Sequence, residues 1–321
     1  MGMPMKLPRR GTLGLTSGVM VNSAISTSFG TEQSAQSNEG MDPMHYVPGR
    51  IAGPTQVPVK RQYLDGRFGQ IHYRIAAPLN PSKKRPVICL HMSPNSGRVF
   101  EHFLGFLGSD RLCIAPDTPG FGDSDPPKEK PTINDYAGAI GDVIDSLELS
   151  EVDLIGYHTG SETAIEVAHQ KPGSINRIVI VSAPIFTDGE RIDLKKHYSA
   201  TKVSIDGSHI AEKWVAHAKW RMKGWTLDHL AYQFNDALRR PDISWWGHSA
   251  AFEYPMKERL QTTTKEVLVL NPEDDLNMHT KRATGLSSKV KILDLPGWNH
   301  GFLDIKTQEA VAIVQGHFDD V

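Results

Sequence analysis

The stretch DLIGYHTGSETAIEVA, residues Asp153 to Ala168, sets a histidine, His158, between Gly156 and Gly160, where an apolar run passes into a helical one. Strand, tight bend and helix in that order are the layout of G-x-S-x-G turns, which expose a serine nucleophile at a strained tip. Here the tip is an imidazole. A neutral imidazole can attack an acyl group, forming a short-lived acyl-imidazole, or it can take and give protons. An ordinary pKa of about 6.5 leaves it mostly neutral at pH 7. Ser161 lies three residues past the tip, in the first turn of the helix, and is a weaker nucleophile candidate on geometric grounds. TGSE also reads as a capping box, with Thr159 as cap and Glu162 reaching back.

Several elements must position that bend. VPVKRQYLDGRFGQIHYRIAAP predicts a hairpin about Asp65-Gly66. RPVICLHM (85–92) and RLCIAP are apolar enough for buried central strands, and a helix is expected near 98–107 between them. Ala137, Ile140, Val143, Ile144 and Leu147 recur at helical spacing, so a helix is predicted over 133–147. Strand VDLIG, helix SETAIEVAHQ and strand INRIVIVSA follow, and this alternation predicts a mostly parallel sheet covered on both faces. After Pro184 the rhythm breaks. Residues 185–264 are polar and aromatic and hold five of the six tryptophans, Trp214, Trp220, Trp225, Trp245 and Trp246. They read as a helical cap whose tryptophans either form its core or line an apolar pocket. KEVLVLN, a helix, KVKILDLP and a final helix near 307–318 restore the alternation.

From about Val57 to Val321 the chain resembles the α/β-hydrolase superfamily. LHMSPNSG, APDTPGFGDSDPP, the His158 bend and GWNHGF carry the resemblance, in the expected order. It implies an α/β fold with a mostly parallel eight-stranded sheet flanked by helices, the core at 46–184 and 265–321, and the cap inserted after strand 6. It also implies site residues. The nucleophile position falls on His158, the base on His300, and the orienting acid on Asp274 in NPEDDLN, with Asp275 a close competitor and Asp188 the acid if it follows strand 6. The oxyanion hole would come from the backbone N–H groups of Met92 and Thr159. Ser93 and Ser96 read either as substrate-binding hydroxyls beside His158 or as turn chemistry. His91, Tyr157, Ser161, Trp245, Trp246 and Trp298 complete the expected substrate-binding set.

Two imidazoles facing one pocket disfavour double protonation, so His158 and His300 would form a base and acid pair at neutral pH. His158, His300 and Asp274 also make a two-histidine, one-carboxylate set, but no H-E-x-x-H spacing supports a metal, and none is expected. The remaining cap histidines, His209, His217, His229 and His248, are expected to be solvated or structural.

Composition bounds the partners. With 39% hydrophobic residues, 22% charged and a formal charge of −2, the chain offers no general electrostatic case for nucleic acid or anionic membrane. No apolar run suits a membrane span, and no phosphate or dinucleotide motif calls for a cofactor. Cys89 and Cys113 are expected to be buried thiols. Residues 1–45 carry Arg9 and Arg10, a small-residue apolar run to Phe29 and no acid before Glu32, which resembles a twin-arginine export signal cleaved near Ala35. Export to the periplasm or medium is expected, with a cytoplasmic location if the leader is only a disordered tail. The expected function is hydrolysis of a small, partly apolar ester, lactone or amide. The alternatives are a cofactor-free lyase or C–C bond-cleaving enzyme, a ligand binder that lost its serine, and an interaction protein. Expected partners are a small-molecule substrate and, for an oligomer, a second copy in a homodimer.

Overall fold

The computed structural model describes residues 55–320. The expected leader, with Arg9, Arg10 and Ala35, lies outside the described residues. The hairpin comprises β1 (Lys60–Gly66) and β2 (Gly69–Ala76). Its register sets Gly66 opposite Gly69, so the turn falls on Arg67-Phe68, two residues past the expected Asp65-Gly66. Next come β3 (Val87–Leu90), α1 (Glu101–Leu107), β4 (Cys113–Pro116), α2 (Ile133–Ser146), β5 (Val152–Tyr157), α3 (Thr159–Gln170) and β6 (Ile175–Val181). After an excursion of five helices, β7 (Glu266–Pro272) and β8 (Val290–Leu295), with the short α9 (Asn277–Thr280) between them, close the sheet.

The eight strands stand in the order β1-β2-β4-β3-β5-β6-β7-β8, and only β2 runs against its neighbours. Strands buried on both faces read as continuous apolar runs because each face must meet a helical layer. VICL of β3 and VDLIGY of β5 are buried at every position. One face packs against α2 and α3, the other against α1 and the last helix, α11 (Thr307–Asp319). The single charge within β5, Asp153, accepts from Asn176 Nδ2 at 2.9 Å, the Arg177 N–H at 3.0 Å and Arg85 Nε at 3.3 Å. Burying it unpaired would cost several kcal/mol, roughly what two core aliphatic side chains contribute. Cys89 and Cys113 are buried and unpaired.

The excursion begins with α4 (Asp188–His197), α5 (Ser208–Lys219) and α6 (Leu227–Leu238). Neither α4 nor α5 has a fully buried residue, as suits a thin cover over the strand ends. The next two helices, α7 (Trp246–Glu253) and α8 (Met256–Thr262), behave differently. Their Ala250, Met256 and Leu260 share one core with Ala164 and Ile165 of α3, so residues 246–262 of the expected cap join the helical layer.

Parallel strands all end on one edge of a sheet, and in such sheets the loops at that edge build the site. Met92 follows β3, His158 follows β5, Asp274 and Asp275 follow β7, and His300 follows β8. The bend after β5 depends on two absent side chains. A Cβ on Gly160 would lie 2.0 Å from the Leu90 carbonyl oxygen, and one on Gly156 would lie 2.3 Å from that of Gly160. Backbone on both sides leaves nothing free to rotate away. Gly160→Ala is therefore expected to destabilise the chain by about 3 kcal/mol or more, which a urea melt would register as a lowered midpoint.

Candidate active site

His158 holds the tip with φ 50° and ψ −114°, a conformation that non-glycine residues rarely adopt. Its N–H donates to the Val181 carbonyl of β6 at 3.0 Å, and its carbonyl accepts from the Ser161 N–H at 2.7 Å. The bend is thereby pinned from both sides. The imidazole leans over the strand ends, with its ring centroid 5.2 Å from that of His300 in an edge-on arrangement.

Each imidazole has its own carboxylate, and the pairing differs from the expectation. Asp274 accepts from His158 Nε2 at 2.9 Å, while Asp275 accepts from His300 Nε2 at 2.9 Å. Asp274 was expected to orient His300. It cannot, because it points inward, where Ser182 Oγ donates to it at 2.6 Å and the Leu276 N–H at 2.9 Å. Asp275, the next residue in the turn after β7, reaches His300 instead. Asp188 is no competitor: its side chain is 95% exposed at the start of α4.

The tautomers follow from these partners. Asp274 and Asp275 accept, so each histidine carries a proton on Nε2. His300 Nδ1 then faces the Tyr157 hydroxyl at 3.0 Å, which donates to it while the ring is neutral. Among the described residues, no protein hydrogen bond occupies His158 Nδ1. Burial alone would lower the His158 pKa, but the charge and hydrogen bond of Asp274, helped by Asp275, outweigh it and raise the value. Burial likewise pushes both carboxyls up, yet the imidazoles hold Asp274 below the usual carboxylate range and Asp275 well below it. These four residues each offer one donor atom within 4.8 Å of the others, as a metal site would. Here they pair as two imidazole–carboxylate dyads. A second such set, His72, Asp117 and Asp123, is taken up in anchoring the loop after β4, through His72 Nδ1 on Asp117 at 2.8 Å and the Asp123 N–H at 2.9 Å.

Several expected site residues serve the scaffold instead. Ser161 is fully buried and donates to the Val181 carbonyl at 2.9 Å, so its hydroxyl is neither nucleophile nor substrate ligand. The capping box is absent: His158 is the N-cap, and both Glu162 oxygens are buried without a partner, with the pKa pushed well up by burial. His91 is buried, with Nε2 accepting from the Thr118 N–H at 2.8 Å and Nδ1 donating to the Met92 carbonyl at 2.9 Å. It shapes the loop rather than the cavity. Ser96 caps the turn at Arg98 and donates to Asp236 of α6. Trp298 packs on Phe302, at 5.3 Å between centroids, and Trp246 starts α7; neither lines the cavity.

The cavity itself holds about 420 Å³ and lies between the strand ends and the cap. Met92, Ser93, Tyr157, His158, Trp245 and His300 line it. Thr159, at the first position of α3, is buried beside the tip. Sequence reasoning missed Lys213, which with Ala216, His217 and Trp220 forms an i, i+3, i+4, i+7 stripe along α5 and its C-cap and lines the cavity; Trp220 takes the pocket-lining reading. That spacing was the available signal. His217 and His248, expected to be solvated or structural, also line it, and so do Trp225 and Asp304. His209 and His229 do behave structurally, bonded to Ser204 and Thr226.

Asp304 lies in a short helix, α10 (Phe302–Ile305), just past His300. Its Oδ2 accepts from Trp225 Nε1 at 2.8 Å and Gln233 Nε2 at 3.1 Å. Burial nonetheless pushes its pKa up to about 7, against the Trp225 bond. A raised acid contributes stability that is fully present below its unfolded pKa, about 3.9, and is lost as pH rises through the folded value. Asp304→Asn keeps an oxygen for Trp225 and is expected to flatten that loss. Melting temperatures compared at pH 5 and pH 8 should fall less in the variant than in the parent.

Residues 85–238 match the family model described as alpha/beta hydrolase fold. An uncharacterized protein of Mycobacterium tuberculosis is 34% identical over 70 residues, 22% of this chain and 20% of its own length. The chain thus spans about a fifth of that relative. Haloalkane dehalogenase 2 of the same species is 25% identical over 132 residues, covering 40% of this chain and 43% of the relative. Among solved structures, the enol-lactonase from Burkholderia xenovorans LB400 superposes with a TM-score of 0.68 at 15% identity, covering 81% of this chain and all 100% of its own. The eight-stranded, mostly parallel sheet flanked by helices accords with these matches, and the chain has the α/β-hydrolase fold.

Proposed function

We propose that this chain is a hydrolase of small, partly apolar esters, lactones or amides that works through two imidazole–carboxylate dyads instead of a serine. One observation carries the reading: His158 and His300, 5.2 Å apart and each bonded to its own aspartate, open on one aromatic-lined cavity. In this reading His158 is the base. Its Nε2–H is held by Asp274, which leaves Nδ1 to take a proton from water as the water oxygen attacks the carbonyl carbon. The Met92 and Thr159 N–H groups receive the developing oxyanion. As the intermediate collapses, the carbonyl re-forms and the leaving oxygen or nitrogen departs. It takes the proton that His158 Nδ1 accepted from water, which returns His158 to its starting state, while His300, held by Asp275, fixes the Tyr157 hydroxyl beside the reacting group. Direct attack by His158 Nδ1, with the acyl-imidazole then hydrolysed, uses the same atoms.

The hydrolase character of the superfamily and the lactonase and esterase neighbours support this class of reaction. A fluorophosphonate probe tests the missing serine directly. Wild-type protein that turns over an ester or lactone panel is expected to resist stable labelling, and His158→Ser to acquire it. Stable labelling of wild type on a serine would overturn the dyad mechanism.

A further inference from the structure

We infer that the cavity is built for a substrate carrying a carboxylate, and that Lys213 is the residue that binds it. This rests on the hydrolase reading for the reaction, but not for the binding. Lys213 of α5 lines the cavity, half-buried, and among the described residues the only hydrogen bond of its ammonium is a long one, 3.4 Å, to the Ala237 carbonyl. Burial lowers its pKa with no acid near enough to raise it. By contrast Lys195 is paired with Glu253, Lys196 with Asp193, and Lys219 lies over the Trp220 ring.

Both acids that reach the cavity are otherwise engaged. Asp275 holds His300, and Asp304 is tied to Trp225 and Gln233. The groups beside Lys213 add no negative charge. His217, one turn along α5, points Nδ1 back at the Lys213 carbonyl at 2.8 Å. His248 lines the same cavity and keeps Nδ1 buried without any partner. Burial and the neighbouring basic groups lower the pKa of both histidines, so they are neutral at pH 7 and do not supply the counter-charge. A partly desolvated ammonium in an aromatic cavity whose acids are otherwise engaged is a site waiting for an anion. A carboxylate fits best, because the rest of the lining (Trp220, Trp225, Phe234, Leu230) suits a hydrocarbon or aryl body.

The test is equilibrium binding, which needs no turnover. 4-Phenylbutyrate and its uncharged counterpart 4-phenylbutanamide are titrated calorimetrically into the full chain at pH 7. Wild type is expected to bind the acid about tenfold or more tighter than the amide, a preference that weakens as salt rises. Lys213→Met should reduce that ratio to about one, and Lys213→Arg should retain most of it. Equal binding of both ligands by wild type overturns the inference. So does an acid preference that survives in a folded Lys213→Met, since the anion would then sit on the histidine pair. If Lys213→Met fails to fold, the wild-type ratio and Lys213→Arg still decide. A Lys213-dependent preference with no turnover of any ester would leave the anion site standing and sink the hydrolase reading alone.

Discussion

His158→Ala is expected to lower kcat/KM on the best ester or lactone by about 10²–10⁴-fold, the usual worth of a positioned general base. The fold should tolerate the change, because the bend is held by backbone bonds to Val181 and Ser161 and by Gly156 and Gly160, not by the imidazole. Ser161→Ala provides the contrast. Its hydroxyl bonds only the Val181 carbonyl, so losing it costs about 1 kcal/mol of stability and leaves turnover near the parent's. Activity should also rise with pH through a value above the ordinary imidazole pKa, since a base works when neutral and Asp274 raises His158. Full activity in His158→Ala together with its loss in Ser161→Ala would reverse the assignment.

The second large effect separates the two dyads. Asp274→Asn takes away the charge and acceptor that raise His158 while burial, which lowers it, remains. The pH limb should therefore move to lower pH. The Asn amide can also donate to Nε2 and drive the proton to Nδ1, leaving the base in the wrong tautomer, so kcat should fall by about 10²–10⁴-fold. Asp275→Asn should cost less, about tenfold, because its side chain is 43% exposed and water screens its charge. Stability follows the same pairing. The raised His158 stabilises fully below the unfolded imidazole pKa and loses this as pH rises through its folded value. The lowered Asp274 stabilises above the unfolded carboxylate pKa and loses this as pH falls through its own folded value. Urea midpoints should accordingly differ most between wild type and Asp274→Asn from about pH 4 to about pH 6.5, and a difference independent of pH would contradict the ion-pair account.

Local patterns determined the scaffold. Apolar runs such as VICL and VDLIGY have one use in an alternating chain, a strand between two helical layers, and they pair as that logic requires. Gly156-Tyr157-His158-Thr159-Gly160 likewise specified the strained bend, because only glycine admits backbone at 2.0–2.3 Å from its missing Cβ. The sequence brought His158 and His300 forward through their places after β5 and β8. It could not say which aspartate serves which histidine, since Asp274 and Asp275 are chemically identical neighbours. The inward hydrogen bonds from Ser182 and Leu276 made that choice, and one of them comes from the residue just past β6, 92 positions earlier. Ser161, Ser96 and His91 looked equally fit for chemistry as residue types. Backbone groups claimed the polar atoms of Ser161 and His91, and the Asp236 carboxylate claimed Ser96, because a side chain's partners depend on what the fold packs around it. The cavity's charge was the least legible feature, because an ammonium without a carboxylate exists only once α5 lies over the strand ends.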